Sequence, residues 1–323
     1  MREFDLVVAT DVDAALRAGA QGHTYKAGGV DLLDRLKERV AAPDKLVSVE
    51  GVNALRGISQ DKDGLHIGAT VTLAELATHG TVKRAFAALS QAAEEAATPQ
   101  VRNMATVAGN LCQRPRCWYF RSQHFHCLKK GGTTCFAVDG EHDSHALFGG
   151  GPCHIVHPSN VASPLLAADA VLHLRQANKT PRRLALSQFF VLPNKQMSRE
   201  NLLRPGELVT KITIPRLPQR TGYAEVRQRQ SFDWPLASAA VVQVAGRWRV
   251  VLGAVAPVPW RAIGAEKTLS GVSGVPTKAQ IAKAAKAAIS GATPLPRAKW
   301  RLQLVSAVVR RALIAAAGQG GTR

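Results

Sequence analysis

The first half of the chain alternates short apolar runs with amphipathic ones. Residues 4–9 read as a strand and 11–21 as a helix, with Asp11 placed to cap its N-terminus. A short strand, 23–26, leads into Ala27-Gly28-Gly29. Behind it, 31–40 carries Leu32, Leu33 and Leu36 at helical spacing with charges between them. Strands are predicted over 46–50 and 65–69, and helices over 73–79 and 84–97. From 111 to 158 the periodicity disappears. That stretch is rich in Gly, His, Cys and aromatics, and a loop so long is functional or disordered. Regular structure returns at 163–170, with strands at 171–174 and 183–186, a turn at 202–206 and an alternating strand at 208–214. The two prolines within 215–222 mark a domain boundary. Beyond it the pattern predicts three antiparallel strands, 223–230, 236–244 and 248–255, then Ala-rich helices over 278–290 and 297–317. The polar end, 318–323, reads as frayed.

Composition changes this picture in two places. Of 323 residues, 42 are Lys or Arg and 23 are Asp or Glu, a net charge of +19. Such a surplus suits a nucleic acid, an anionic membrane or an acidic protein partner with anionic cofactors. The basic residues are scattered in pairs such as Lys129-Lys130, Arg182-Arg183 and Arg310-Arg311, and aromatics make up only 5% of the chain. Nucleic-acid readers concentrate charge and add stacking rings, so no nucleic-acid partner is expected. No secretory signal is visible at the start, and no run approaches the roughly 18 apolar residues of a membrane span. A cytoplasmic protein without a membrane partner is the expectation; export inside a complex, on a partner's twin-arginine signal, is the alternative.

The second place is the cysteines. All five (Cys112, Cys117, Cys127, Cys135 and Cys153) fall inside the aperiodic stretch or at its edge. Disulfides of a secreted protein would be spread along the chain, and an odd number would strand a thiol. Clustering therefore points to metal. Between Cys117, Cys127, Cys135 and Cys153 lie nine, seven and seventeen residues, so no C-x-x-C pair exists. Spacing alone leaves zinc and an iron–sulfur cluster open, zinc the more so with His124, His126, His142, His145, His154 and His157 nearby.

Two further segments carry binding chemistry. Lys26 to Asp31 lies between a strand and a helix, where glycines admit a close ligand and successive N–H groups form an anion site. A plain strand–helix turn explains the same residues, and the run is not the G-x-G-x-x-G fingerprint. The segment 100–111 mixes small residues with Thr106 and Asn110. With the glycine turn it outlines a two-sided cleft.

Taken together, KAGGVDLL, QVRNMATVAGNL, CHIVHPSN, RQRQSFDWPLASAAV and GAVAPVPWRA resemble the FAD-binding subunit of xanthine dehydrogenase-type molybdenum hydroxylases, in order and over nearly the whole chain. The insertion CWYFR…C…C…GGGPC is similar to that of the flavin subunit of periplasmic aldehyde oxidoreductases, which holds a [4Fe-4S] cluster. The resemblance implies an α+β chain. Residues 1–217 would form a vanillyl-alcohol-oxidase (PCMH-type) FAD-binding domain with a cluster-binding insertion at 111–158, and 218–323 a small α+β domain like that of the carbon monoxide dehydrogenase flavoprotein. It implies FAD held by Lys26, Ala27, Gly28, Gly29, Val30, Asp31 and Leu32, with Thr106, Gly109, Asn110, Ser159 and Asn160 also at the cofactor. Cys117, Cys127, Cys135 and Cys153 would hold the cluster, and Cys112 would be a spare buried thiol. A molybdenum-cofactor large subunit, a [2Fe-2S] small subunit and an external electron acceptor are the implied partners, in a heterotrimer or its dimer. No catalytic residue is assigned to this chain. The sequence departs from the family at Val30 (commonly Thr), Ala108 (Gly), Asn160 (Asp) and Glu225 (Lys near the flavin). A basic zinc-containing interaction or nucleic-acid-binding module is the alternative reading.

Overall fold

A computed structural model describes residues 1–229 and 231–318. Twelve strands form three sheets: β1 (Asp5–Val8), β2 (Thr24–Lys26), β3 (Lys45–Ser48), β4 (Ile58–Asp61), β5 (Gly64–Gly68), β6 (Val171–Arg175), β7 (Arg182–Ala185), β8 (Leu208–Ile214), β9 (Arg220–Val226), β10 (Ala237–Val244), β11 (Arg247–Gly253) and β12 (Trp260–Arg261). The first three make a parallel sheet in the order β1-β3-β2. The second, β4-β5-β8-β6-β7, is antiparallel throughout. The third, β12-β11-β10-β9, is antiparallel as the alternation beyond residue 222 predicts.

Local chemistry accounts for most elements. Asp11 accepts from Ala14 N and caps Val12–Ala20, as expected from its position. Thr72 and Thr277 open capping boxes with Glu75 and Gln280. The pattern misleads at 84–97. The chain breaks at Phe86, whose φ of −152° is not helical, into Gly80–Ala85 and Ala87–Glu94. Burying the Phe86 ring completely among Val82, Leu89 and their neighbours turns the backbone there. Residues 100–111, to which periodicity assigns no element, form two short helices, Pro99–Met104 and Val107–Cys112. Strand β4 and the helix Ile263–Thr268 carried no clear periodic signal. The expected frayed end lies outside the described residues except for Gly318, and so does Gln230 of the expected strand 223–230.

The last sheet is covered on both faces, so its central strand loses the usual alternation of buried and exposed positions. Along β10, Ala240, Val242 and Val244 enter the large core shared with β5, β6 and β8. Ala237, Ala239 and Val241 point the other way, into a core closed by Lys278–Ala287 and Leu302–Gly318. Between β8 and β9 the Pro-containing connection crosses from one sheet to the next. Among the described residues, no helix is long and apolar enough to cross a membrane.

Candidate functional site

A cavity of about 470 Å³ opens where β2 runs into the helix Val30–Lys37. Eleven of the twelve expected cofactor residues line it: Lys26, Ala27, Gly28, Gly29, Val30, Asp31, Leu32, Thr106, Gly109, Asn110 and Asn160. The twelfth, Ser159, stands behind the wall, where its hydroxyl donates to Asn110 Oδ1 at 2.5 Å and accepts from Ala162 N. Residues 95–98 and 232–235 also line the cavity; no sequence signal marked them as a pair.

The two glycines of the turn have different jobs. Gly29 adopts φ +77° at the N-cap of Val30–Lys37, the left-handed region where a side chain is strained. At Gly28 the constraint is space: a Cβ would lie 1.6 Å from the Met104 carbonyl oxygen. The turn is thus pressed against the loop that leads into Thr106, and this contact brings the two binding segments together. Thr106 serves as N-cap, accepting from Gly109 N at 3.2 Å, so its hydroxyl oxygen is already engaged. Ala97, also on the wall, sits at φ +45° with its carbonyl held by Arg102 Nη1 at 2.7 Å. A non-glycine residue held in that region costs on the order of 1–3 kcal/mol and occurs mostly at functional sites.

The cavity wall carries charges of both signs: Lys26, Arg35 and Arg116 against Asp31, Asp34, Glu95 and Asp233. Lys26 is paired with Glu50 at 2.7 Å. Burial by itself would raise the Asp31 carboxyl, but the Arg121 and Arg116 guanidiniums hold it below the usual carboxylate range. Its oxygens are turned to those arginines, which leaves the backbone of 28–30 and the helix N-terminus to face an anionic guest.

The cysteines form a second site. Cys117, Cys127, Cys135 and Cys153, all free thiols, line one small cavity together with Tyr119, Phe120, Lys129, Phe136 and His145. Backbone hydrogen bonds act to lower three of these thiols: from Tyr119 and Phe120 on Cys117, Ala137 and His154 on Cys135, and Ile155 on Cys153. Such hydrogen bonds stabilise thiolate ligands and tune a cluster's potential. The cavity has a volume of about 10 Å³, and the Cys135 and Cys153 thiols hydrogen-bond to each other. That bond favours the thiolate of Cys135, lowering it to about 5, and keeps the proton on Cys153. Burial pushes Cys117 up to about 11. Among the described residues, no three His, Cys, Asp or Glu side chains form a group able to hold a metal ion. Cys112, expected as a spare buried thiol, is instead partly exposed: it packs against the large core and lines the first cavity, and burial pushes its thiol up to about 12.

Of the six histidines near the cysteines, His145 comes within 3.3 Å of Cys117 Sγ through Nε2. His142 bonds the Gly140 carbonyl and Arg297 N. Both are polar members of the loop, as that stretch of sequence allows. A residue that sequence reasoning missed anchors the loop: Lys129, its side chain 1% exposed, pairs with Glu200 at 2.8 Å and donates to the Met197 carbonyl. Arg301, equally buried, donates to the carbonyls of Asp143, His145, Leu236 and Ala254. Glu225, remote from the expected turn, is held by Tyr223 at 2.7 Å and by Arg227, which reaches Glu95 on the first cavity's wall.

A cavity built from a glycine turn, a helix N-terminus and a second capped helix has the make-up of a dinucleotide site. Residues 2–217 match the family described as the FAD binding domain in molybdopterin dehydrogenase. The chain is 39% identical over 270 residues to the aldehyde oxidoreductase FAD-binding subunit PaoB of Escherichia coli K12, covering 81% of this chain and 84% of that protein. It is 27% identical over 300 residues to the carbon monoxide dehydrogenase medium chain of Hydrogenophaga pseudoflava, covering 90% and 88%. The solved carbon monoxide dehydrogenase of that organism superposes with a TM-score of 0.75 over 98% of both chains, at 26% identity. The chain belongs to the FAD-binding medium subunits of the molybdenum hydroxylase family, and its relatives are subunits of dehydrogenases and oxidoreductases.

Proposed function

We propose that this chain is the electron-transferring subunit of an aldehyde oxidoreductase-like molybdenum hydroxylase, holding FAD in the larger cavity and a [4Fe-4S] cluster among Cys117, Cys127, Cys135 and Cys153. When bound, FAD exchanges electron pairs and a cluster exchanges single electrons, with oxidation of the substrate left to a molybdenum-containing large subunit. A [2Fe-2S] small subunit would deliver the electrons, and an external acceptor would remove them.

The observation that carries the reading is the convergence of four free thiols, remote in sequence, on one cavity. A [4Fe-4S] cluster takes four thiolates. For FAD, the support is the family and a cradle in which glycine is required at Gly28 and Gly29. The chain's own residues bind and orient. The backbone of Gly28 to Val30 would hold the pyrophosphate, and Asn110 and Asn160 would supply neutral polar contacts. Lys129, Glu200 and Arg301 hold the cysteine loop in place.

The test is a purified complex, with its visible spectrum recorded and its flavin, iron and zinc assayed together. One FAD and four irons per chain, beyond those of the partner subunits, are expected. Zinc without flavin would overturn the proposal. Flavin without the additional iron would leave the family standing and remove the cluster.

A further inference from the structure

The two sites are joined by a network of ion pairs that neither one requires by itself. Asp31 and Asp34 lie one turn apart on Val30–Lys37, the helix that starts at the flavin cradle. Their partners come from the segment around Cys117. Asp31 Oδ1 receives Arg121 Nη2 at 2.5 Å and pairs with Arg116 Nη2 at 3.1 Å. Asp31 Oδ2 receives Arg35 Nε at 3.1 Å and the Arg114 backbone N–H at 3.2 Å. Asp34 Oδ2 receives Arg121 Nη1 at 2.9 Å and Arg116 Nη1 at 3.4 Å. Arg121 also donates to the Arg114 and Pro115 carbonyls, curling the residues before Cys117 back onto the helix Trp118–Arg121 that follows it. The Asp31 and Arg121 side chains are 14% and 11% exposed, so solvent screens them little.

We infer that Asp31 is a positioning residue for both cofactors, locking the Cys117 segment to the flavin cradle so that loading of the cluster tightens the binding of FAD. The inference rests on the cluster assignment above. Asp31 has no partner among the cluster cysteines, so its effect passes through Arg116 and Arg121. Without thiolate ligation the segment 113–121 loses its anchor at Cys117, keeping the ties of Arg114 to Glu200 and the Ser198 carbonyl and those of Arg116 and Arg121 to Asp31 and Asp34. The arginines that hold Val30–Lys37 then move with it, and the helix N-terminus at the cradle loosens. Coupling of this kind is reciprocal: FAD must strengthen retention of the cluster by the same factor.

The experiment uses the whole complex. The FAD dissociation constant is measured by flavin fluorescence on the native protein, after chelation of the cluster iron and after reconstitution with iron and sulfide. The same series is run on Asp31→Asn and Asp31→Glu, and the EPR signal of the reduced cluster is recorded for each. Removal of iron should weaken FAD about tenfold, the lower end of what a supporting contact contributes at a metal site, and reconstitution should restore it. Asp31→Asn should weaken FAD as much while iron is present, shift the EPR signal, and make iron removal nearly without further effect. Asp31→Glu should recover part of both readouts. Equal FAD affinity with and without iron would overturn the inference, as would tenfold losses that simply multiply in the variant. The chelation series needs no substitution, so a variant that fails to fold leaves the test intact. Native protein with FAD but no cluster iron would instead overturn the cluster assignment itself.

Discussion

The Ser159 hydroxyl donates to Asn110 Oδ1 across 2.5 Å, although 49 residues separate the two in sequence. Because Ser159 Oγ also accepts from Ala162 N, its single proton is committed to Asn110. The amide oxygen of Asn110 is therefore occupied, and its NH₂ is the group left for the flavin cavity. Ser159→Ala should free that amide to rotate and weaken FAD binding roughly five- to tenfold, about one hydrogen bond. Flavin titration checks it; unchanged affinity would show that Asn110 is oriented by something else.

Gly28 offers a steric test. Ala at this position places a methyl 1.6 Å from the Met104 carbonyl, and the two binding segments must part. Gly28→Ala should cost about 1–3 kcal/mol of stability, the usual range for overpacking, and yield largely flavin-free protein. Gly51→Ala, with nothing within 4 Å of its Cβ, serves as the control. Urea denaturation and flavin content separate the two.

Cys127→Ser and Cys135→Ser should each lower iron content and the broad visible absorbance. Cys112→Ser should leave both intact, since Cys112 sits away from the cavity that the other four line. Full iron in the first two variants would refute the ligand assignment.

Arg301 donates to four carbonyls and has no carboxylate hydrogen-bonded to it among the described residues. Arg301→Met keeps volume but leaves those acceptors without a donor, so a loss of about 3–5 kcal/mol is expected, as for other broken buried polar networks. Two of the four carbonyls, those of Asp143 and His145, belong to the cysteine loop. Faster loss of iron to a chelator should accompany the loss of stability measured in urea.

Burial lowers the His157 imidazole to about 4 from its ordinary value of 6.5. The ring packs against Phe190, and Ser159 N donates to its Nδ1. Between those two values the unfolded chain binds a proton that the folded chain does not. Stability is therefore full above about pH 6.5 and declines as the pH falls toward 4, by ~3 kcal/mol at most. His157→Gln should flatten that slope; urea midpoints at pH 7 and pH 5 decide.

How much of this was legible follows from the range of each interaction. The sequence by itself determined the strands and helices whose spacing repeats over a turn or two: the capped helix Val12–Ala20, the alternating β8 and the antiparallel strands near the C-terminus. It also marked Cys117, Cys127, Cys135 and Cys153 as a group and Lys26 to Leu32 as a binding turn, because residue chemistry survives without coordinates. Tertiary structure alone decided the break at Phe86, since a ring is buried only where the surrounding core leaves room for it. It decided that Gly28 is demanded by the Met104 carbonyl, and that Asp31 answers to arginines on the cysteine loop. It set Arg301 among carbonyls drawn from three separate segments. Each of these depends on which distant parts of the chain converge, and side-chain periodicity carries no record of that.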